Sequence, residues 1–247
     1  MCSQSNSIYV LVGIGTLLPI YFLETFIIWL FNNYITSKYE SKVNVYEWAI
    51  IYQFFMSYIV AGLMEEIMKL ILALIIKIDP NDKPYCVMML SMAGALGIGT
   101  FETVVFVYNN RVSNSFLSAL WTSILRSVIA TTLHAATGTI IGAEIGKKHF
   151  ALHKKSIFRI MIIPILLHGT YDFCALLGSN LYILTSDPIY FLFFFAVALV
   201  DTVAFVIAFK HVYELNKMEV HSRYEIVNPD DPPTDRALTL EDVVVNV

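Results

Sequence analysis

Charge is scarce in this chain: 15% of its 247 residues are charged, against 57% hydrophobic. A soluble domain of that length needs more polar surface, and the mean hydropathy of +0.66 indicates an integral membrane protein in a lipid bilayer. Cysteine is sparse as well. Cys2, Cys86 and Cys174 fall at no pair spacing, which indicates neither a disulfide framework nor a thiolate metal site. Internal repeats, glycine-rich phosphate loops and nucleic-acid motifs are absent, so no nucleic-acid partner is expected. The leading "MCSQSNS" carries no positive charge, and the apolar run behind it is over 20 residues with no small-residue cleavage site. That segment is therefore expected to stay as a span.

Long apolar runs are what the chain does have. They lie near residues 8 to 31, 48 to 77, 85 to 108, 116 to 146, 157 to 177 and 189 to 209, and a hydrocarbon core of roughly 30 Å needs about 20 helical residues. The expected fold is all-α: a polytopic membrane bundle of about six transmembrane helices with a buried polar site between them. Basic residues flanking spans stay on the cytoplasmic side. The densest group, Lys147, Lys148, Lys154, Lys155 and Arg159, fixes its loop inside, and Lys77, Lys83, Lys210, Lys217, Arg223 and Arg236 then fall inside too, with Lys38, Lys42 and Arg111 outside. Both termini are expected to be cytosolic. Residues 1–221 form the membrane domain, and 222–247, with "NPDDPPTD", a flexible acidic cytosolic tail. The closing "VNV" (Val245 to Val247) has a form that some PDZ domains bind by strand addition.

A charge at the bilayer centre costs roughly 2.5–3.5 kcal/mol on translocon scales, so each intramembrane charge needs a reason. Glu144, one turn from Lys147 and Lys148, is explained by snorkelling or a local ion pair, and Glu24 by the outer interface. Asp201 fits either an interhelical hydrogen bond or a site role. His149, His153, His211 and His221 are expected at the surface of loops and tail. The others form sets by helical spacing. In "GLMEEIMKLILALII", Glu65 lies four and Glu66 three residues before Lys69, so one lysine faces two carboxylates. It neutralises one, and the other, in low dielectric, is a candidate general base. The competing reading is an ion cluster that pins two helices. "LLHGTYDF" puts His168 and Asp172 four apart on one face, where a carboxylate orients an imidazole; a buried packing pair is the alternative. His134, Gly138, Gly142 and Gly146 form a small-residue stripe that admits a neighbouring helix. Gly94, Gly97 and Gly99 likewise bring Glu102 toward other helices. Arg126, eight residues before His134 and about 80° around a regular helix, is a counter-ion for a carboxylate. Glu65 would sit too deep on a straight helix from residue 48; an interfacial or broken Trp48 to Ala61, with the crossing helix starting near Gly62, removes the mismatch.

These residues together carry a resemblance. "EEIMK" (Glu65, Glu66, Lys69), "FE" (Phe101, Glu102), His134 in a small-residue helix and "HGTYD" (His168 to Asp172) occur in the order and spacing of the PrsW family of intramembrane proteases, itself similar to the type II CAAX prenyl proteases. The likeness covers roughly residues 8 to 210. Thr103 and Phe106 stand where members usually carry an asparagine and a tyrosine. The resemblance implies peptide-bond hydrolysis in a membrane-anchored protein substrate. Its catalytic residues would be Glu65, Glu66, His168 and His134, supported by Lys69, Glu102, Arg126 and Asp172. Two mechanisms stay open. In one, a glutamate activates water while the histidines donate hydrogen bonds to the oxyanion. In the other, His134, His168 and Glu66 hold a divalent metal, Zn²⁺ being the expectation. HExxH is absent, so any metal ligands come from different spans. The competing functions are a non-catalytic scaffold, since the same superfamily is thought to include a non-proteolytic γ-secretase subunit, and an ion-coupled transporter, against which no inverted repeat is present.

Overall fold

The computed structural model describes residues 6–30, 33, 45–76, 83–113, 116–150, 155–185 and 190–227. Among these residues there is no strand, as expected where lipid offers the backbone no hydrogen-bond partners. The helices are α1 Asn6–Leu30, α2 Val45–Phe55, α3 Met64–Leu74, α4 Pro84–Ser113, α5 Phe116–Leu125, α6 Thr131–His149, α7 Ile157–Thr185 and α8 Tyr190–Val227. Two π-helical segments, Met56–Leu63 and Arg126–Ala130, join α2 to α3 and α5 to α6. Proline opens α4, where its missing N–H removes no helical bond, and Lys147, Lys148 and His149 close α6 against the negative end of its dipole.

Among the described residues, four stretches are long and apolar enough to cross a membrane: Pro84–Tyr108, Ser123–His149, Ile157–Gly178 and Leu192–Met218. They match the last four of the six expected spans; the first corresponds to α1 and the second to the run from α2 to α3. The last is longer than expected, because helix continues to Val227. That extension corrects the placement of His211, which is buried on α8 rather than at a surface. Gly62 does not break the second span. Phe55, Leu63 and Met64 all keep right-handed helical φ and ψ, and the distortion is absorbed as π-helix. A π turn fits extra residues into a continuous helix, so the segment gains less height and Glu65 reaches the level of the histidines within one helical run.

The small-residue stripe on α6 packs on α4. A Cβ at Gly142 would lie 2.6 Å from Ser91 Cβ, and one at Gly146 2.7 Å from Pro84 O, so no larger residue fits at this crossing. Apolar cores lie on either side of the polar centre. Leu70, Ala73, Val87, Ile141 and Ile160 form one, and Leu133, Ile140, Tyr171, Val197 and Ala204 the other. Asp201 makes an interhelical contact, accepting from Thr132 Oγ1 at 3.2 Å. Cys174 is a free thiol and Cys86 is disulfide-bonded, which corrects the inference from spacing: a bridge needs proximity in space, not a sequence interval. Cys2, Lys38, Lys42, Lys77, His153, Lys154 and residues 228–247 lie outside the described residues, as do the side chains of Glu24, Arg111, His221 and Arg223.

Candidate active site

Glu65, Glu66 and Lys69 leave the first turns of α3 toward α6 and α7, and all three are buried. Lys69 pairs with Glu66 Oε1. Thr137 on α6 completes this group: its hydroxyl accepts from Lys69 Nζ at 2.9 Å and lies 3.2 Å from Glu66 Oε1. Glu66 is thus the neutralised carboxylate, and Glu65 is the one turned to the histidines. Thr137 was not singled out from the sequence, although it stands one helical turn after His134 on the same face.

Each imidazole is held from behind by a carboxylate. His168 Nδ1 lies 2.7 Å from Glu66 Oε1, and His134 Nε2 lies 2.8 Å from Glu102 Oε2. An ionised carboxylate only accepts, so in the neutral rings these nitrogens carry the hydrogens. The opposite nitrogen of His134, Nδ1, then presents a lone pair toward Glu65 Oε2 at 3.8 Å, whereas His168 Nε2, 3.7 Å from the same oxygen, also has Asp172 Oδ2 as an acceptor. Those separations exceed a hydrogen bond. Asp172 Oδ2 stands beside the group, 3.2 Å from His168 Nε2. The two rings meet edge to face with centroids 5.0 Å apart.

Glu102 also bonds Arg126, Oε1 to Nη2 at 2.8 Å, so one carboxylate joins the arginine to His134. The expected 80° offset between Arg126 and His134 is reduced by the intervening π turns, which rotate less per residue than an α-helix. Phe106 underlies the guanidinium at 3.9 Å. Gly99 leaves room for the His134 ring; a Cβ there would come within 2.9 Å of it. On α7, Gly169 lets Tyr58 of the first π segment pack against the backbone, and Tyr58 Oη bonds Thr170 Oγ1 at 2.8 Å. This contact ties α7 to the element that leads into Glu65.

The donor set fits a divalent cation. Glu65, His134 and His168 each offer a ligand atom, all within 4.8 Å of one another, and His134 Nδ1 is buried without a hydrogen-bond partner. For nitrogen and oxygen ligands at roughly 2.0–2.2 Å from a tetrahedral ion, the ligand atoms stand about 3.4 Å apart, close to the spacing here. Carboxylates behind ligand histidines are the usual support of such sites. The group at ligand spacing contains Glu65 rather than Glu66, and Glu66 Oε1 bonds Lys69 and His168 Nδ1.

Residues 7–201 match the sequence profile of the PrsW family of intramembrane metalloproteases. Among curated proteins, protease PrsW of Bacillus subtilis (strain 168) is 30% identical over 133 residues, 51% of this chain and 57% of that protein. Protease PrsW of Clostridioides difficile (strain 630) is 31% identical over 169 residues, 64% of this chain and 68% of that one. That of Geobacillus kaustophilus (strain HTA426) is 28% identical over 124 residues, 49% and 52% respectively. The chain thus spans little more than half the length of the Bacillus and Geobacillus relatives. No solved structure matches it.

Proposed function

The chain belongs to the PrsW family of intramembrane metalloproteases, and on that premise we propose that it hydrolyses a peptide bond in a membrane-anchored protein. One observation carries the reading: Glu65 Oε2 faces ring nitrogens of two buried histidines at 3.7 Å and 3.8 Å. Glu65 Oε2 and the lone pair of His134 Nδ1 face each other in an apolar interior and repel unless a proton, a cation or a water molecule lies between them. Glu65, His134 and His168 would hold a divalent metal such as Zn²⁺. Bound there, the ion would polarise the scissile carbonyl and acidify a water.

The remaining roles belong to side chains. Glu66, neutralised by Lys69, orients His168, and Glu102, neutralised by Arg126, orients His134. His134 turns a lone pair inward, which favours holding a cation, and His168 Nε2, beside Asp172 Oδ2 at 3.2 Å, would join as a ligand on giving up its hydrogen. Glu65 and Asp172 are the carboxylates facing the reaction space. The attacking water gives its proton to one of them, its oxygen bonds the carbonyl carbon, and the proton passes to the leaving amine as the peptide bond breaks. The basic group Lys147 to Arg159 supports a cytosolic position for its end of the bundle and for both termini, and the closing Val245 to Val247 would suit a PDZ-type partner.

The test uses the full chain in nanodiscs with single-span peptides carrying a fluorophore and a quencher. Glu65→Gln, His134→Ala and His168→Ala each abolish product formation and lower the bound metal, measured by mass spectrometry, from one equivalent toward none. Retained cleavage in all three variants sinks the assignment. Full activity in stringently metal-free protein leaves Glu65 as the base with no ion.

A further inference from the structure

A cavity of about 270 Å³ opens beside the ligand group, between the π segment Arg126–Ala130, α7 and α8. Its walls are apolar, with Phe106, Ile129, Ala175, Phe194 and Val197 among them, and Arg126 supplies its one charged group. Two links join it to the site. Arg126 bonds Glu102 at 2.8 Å, and Glu102 bonds His134 at 2.8 Å. Tyr171 in its wall precedes Asp172, which lies 3.2 Å from His168 Nε2. The cavity is therefore joined to His134 through Arg126 and Glu102 and shares α7 with His168, although neither ring lines it.

Arg126 is incompletely satisfied. Its Nη2 serves Glu102, but its Nε–H is buried with no hydrogen-bond partner, and a buried donor without an acceptor is costly. A transmembrane substrate has the complementary need. To be cut it must unwind locally, which frees carbonyl oxygens where no bulk water can bond them. The volume equals about nine liquid waters at roughly 30 Å³ each, room for a leucine, methionine or phenylalanine side chain.

Resting on the protease reading, we infer that this cavity is the subsite for an apolar side chain of the membrane-embedded substrate beside the scissile bond, with the Arg126 guanidinium turning to donate to a substrate carbonyl. Ala175 sets how large that side chain can be. The cavity adjoins a peptide-cutting centre and has a donor at its wall, so its occupant is peptide rather than a lipid acyl chain.

The experiment separates this subsite from catalysis. The full chain carrying Glu65→Gln, in nanodiscs, is photo-crosslinked to a biotinylated single-span peptide with a diazirine-bearing leucine at successive positions, and adducts are mapped by mass spectrometry. Adducts concentrate on Cys174, Ala175 and Phe194 from one or two adjacent peptide positions. They fall at least tenfold with Ala175→Trp, and do not with Leu166→Trp on the exposed face of α7. Cys174→Leu is the milder filling variant if Ala175→Trp fails to accumulate. In the active chain, filling the cavity shifts the residues flanking the cut from large to small. Adducts scattered over lipid-facing residues, yields unaffected by filling, or labelling by a diazirine-bearing phospholipid at these positions in place of the peptide would each overturn the subsite. A chain that crosslinks as expected but never cleaves refutes the protease reading and leaves the peptide subsite standing.

Discussion

Two clusters in this bundle are built from the same parts and differ in what occupies their centres. One is Glu65, Glu66, Lys69, His134 and His168; the other is Glu144, Lys147, His211 and Glu214, between the end of α6 and α8. Each supplies three ligand-type residues within metal-binding reach, and each contains a fully buried lysine. In the second, the lysine stands among the three. Lys147 Nζ lies 3.1 Å from Glu144 Oε1, 3.1 Å from His211 Nδ1 and 2.5 Å from Glu214 Oε2, and Lys155 adds a contact to Glu144 at 2.8 Å. That cluster already contains its cation. In the first, Lys69 sits to one side, on Glu66 Oε1 and Thr137, rather than among Glu65 and the two rings. Composition does not separate a site from a structural clamp; the position of one ammonium does.

The comparison breaks most sharply at Glu65. Glu65→Gln is expected to lower the cleavage rate on the order of 10³-fold, the range of a lost proton-transfer or ligand group, with thermal unfolding nearly unchanged. Lys69→Met, which leaves the Glu66 charge buried and uncompensated, is expected to destabilise the chain by roughly 3–5 kcal/mol, read from denaturation in detergent. Glu102→Gln keeps the shape behind His134 but removes its charge, and metal affinity should fall about 10- to 100-fold in competition titrations. In the second cluster, Glu144→Gln should cost about 2 kcal/mol of stability while bound metal stays the same; a drop in metal would show that this cluster is also a site. Asp201→Asn, touching only the Thr132 hydroxyl, should change stability by less than about 1 kcal/mol and leave cleavage unaffected.

Helical spacing made much of this legible. Charges that hydrocarbon would reject had to face protein, and that reasoning selected the residues that meet at the centre. It also gave Arg126 a carboxylate partner and the glycine stripe a helix to admit. Spacing on one helix could not say which glutamate Lys69 takes, because Glu65 and Glu66 are both within a turn of it. The choice is made by Thr137 and His168, which arrive from other helices. Hydropathy alone puts His211 past the end of the last span, whereas α8 continues beyond the apolar stretch and turns that histidine against α6.

The π-helical turns before Glu65 and before His134 carry a consequence for comparing relatives. Each is in effect an extra count in a helical screw. Removing one residue from Met56–Leu63 would let the helix close into regular α-turns, turn Glu65 and Glu66 by about 100° and draw them about 1.5 Å along the axis. Every letter of "EEIMK" would survive, and Glu65 would no longer face the histidines. Among chains that share these letters, the number of residues in the turn ahead of them separates those that can assemble the centre from those that only spell it.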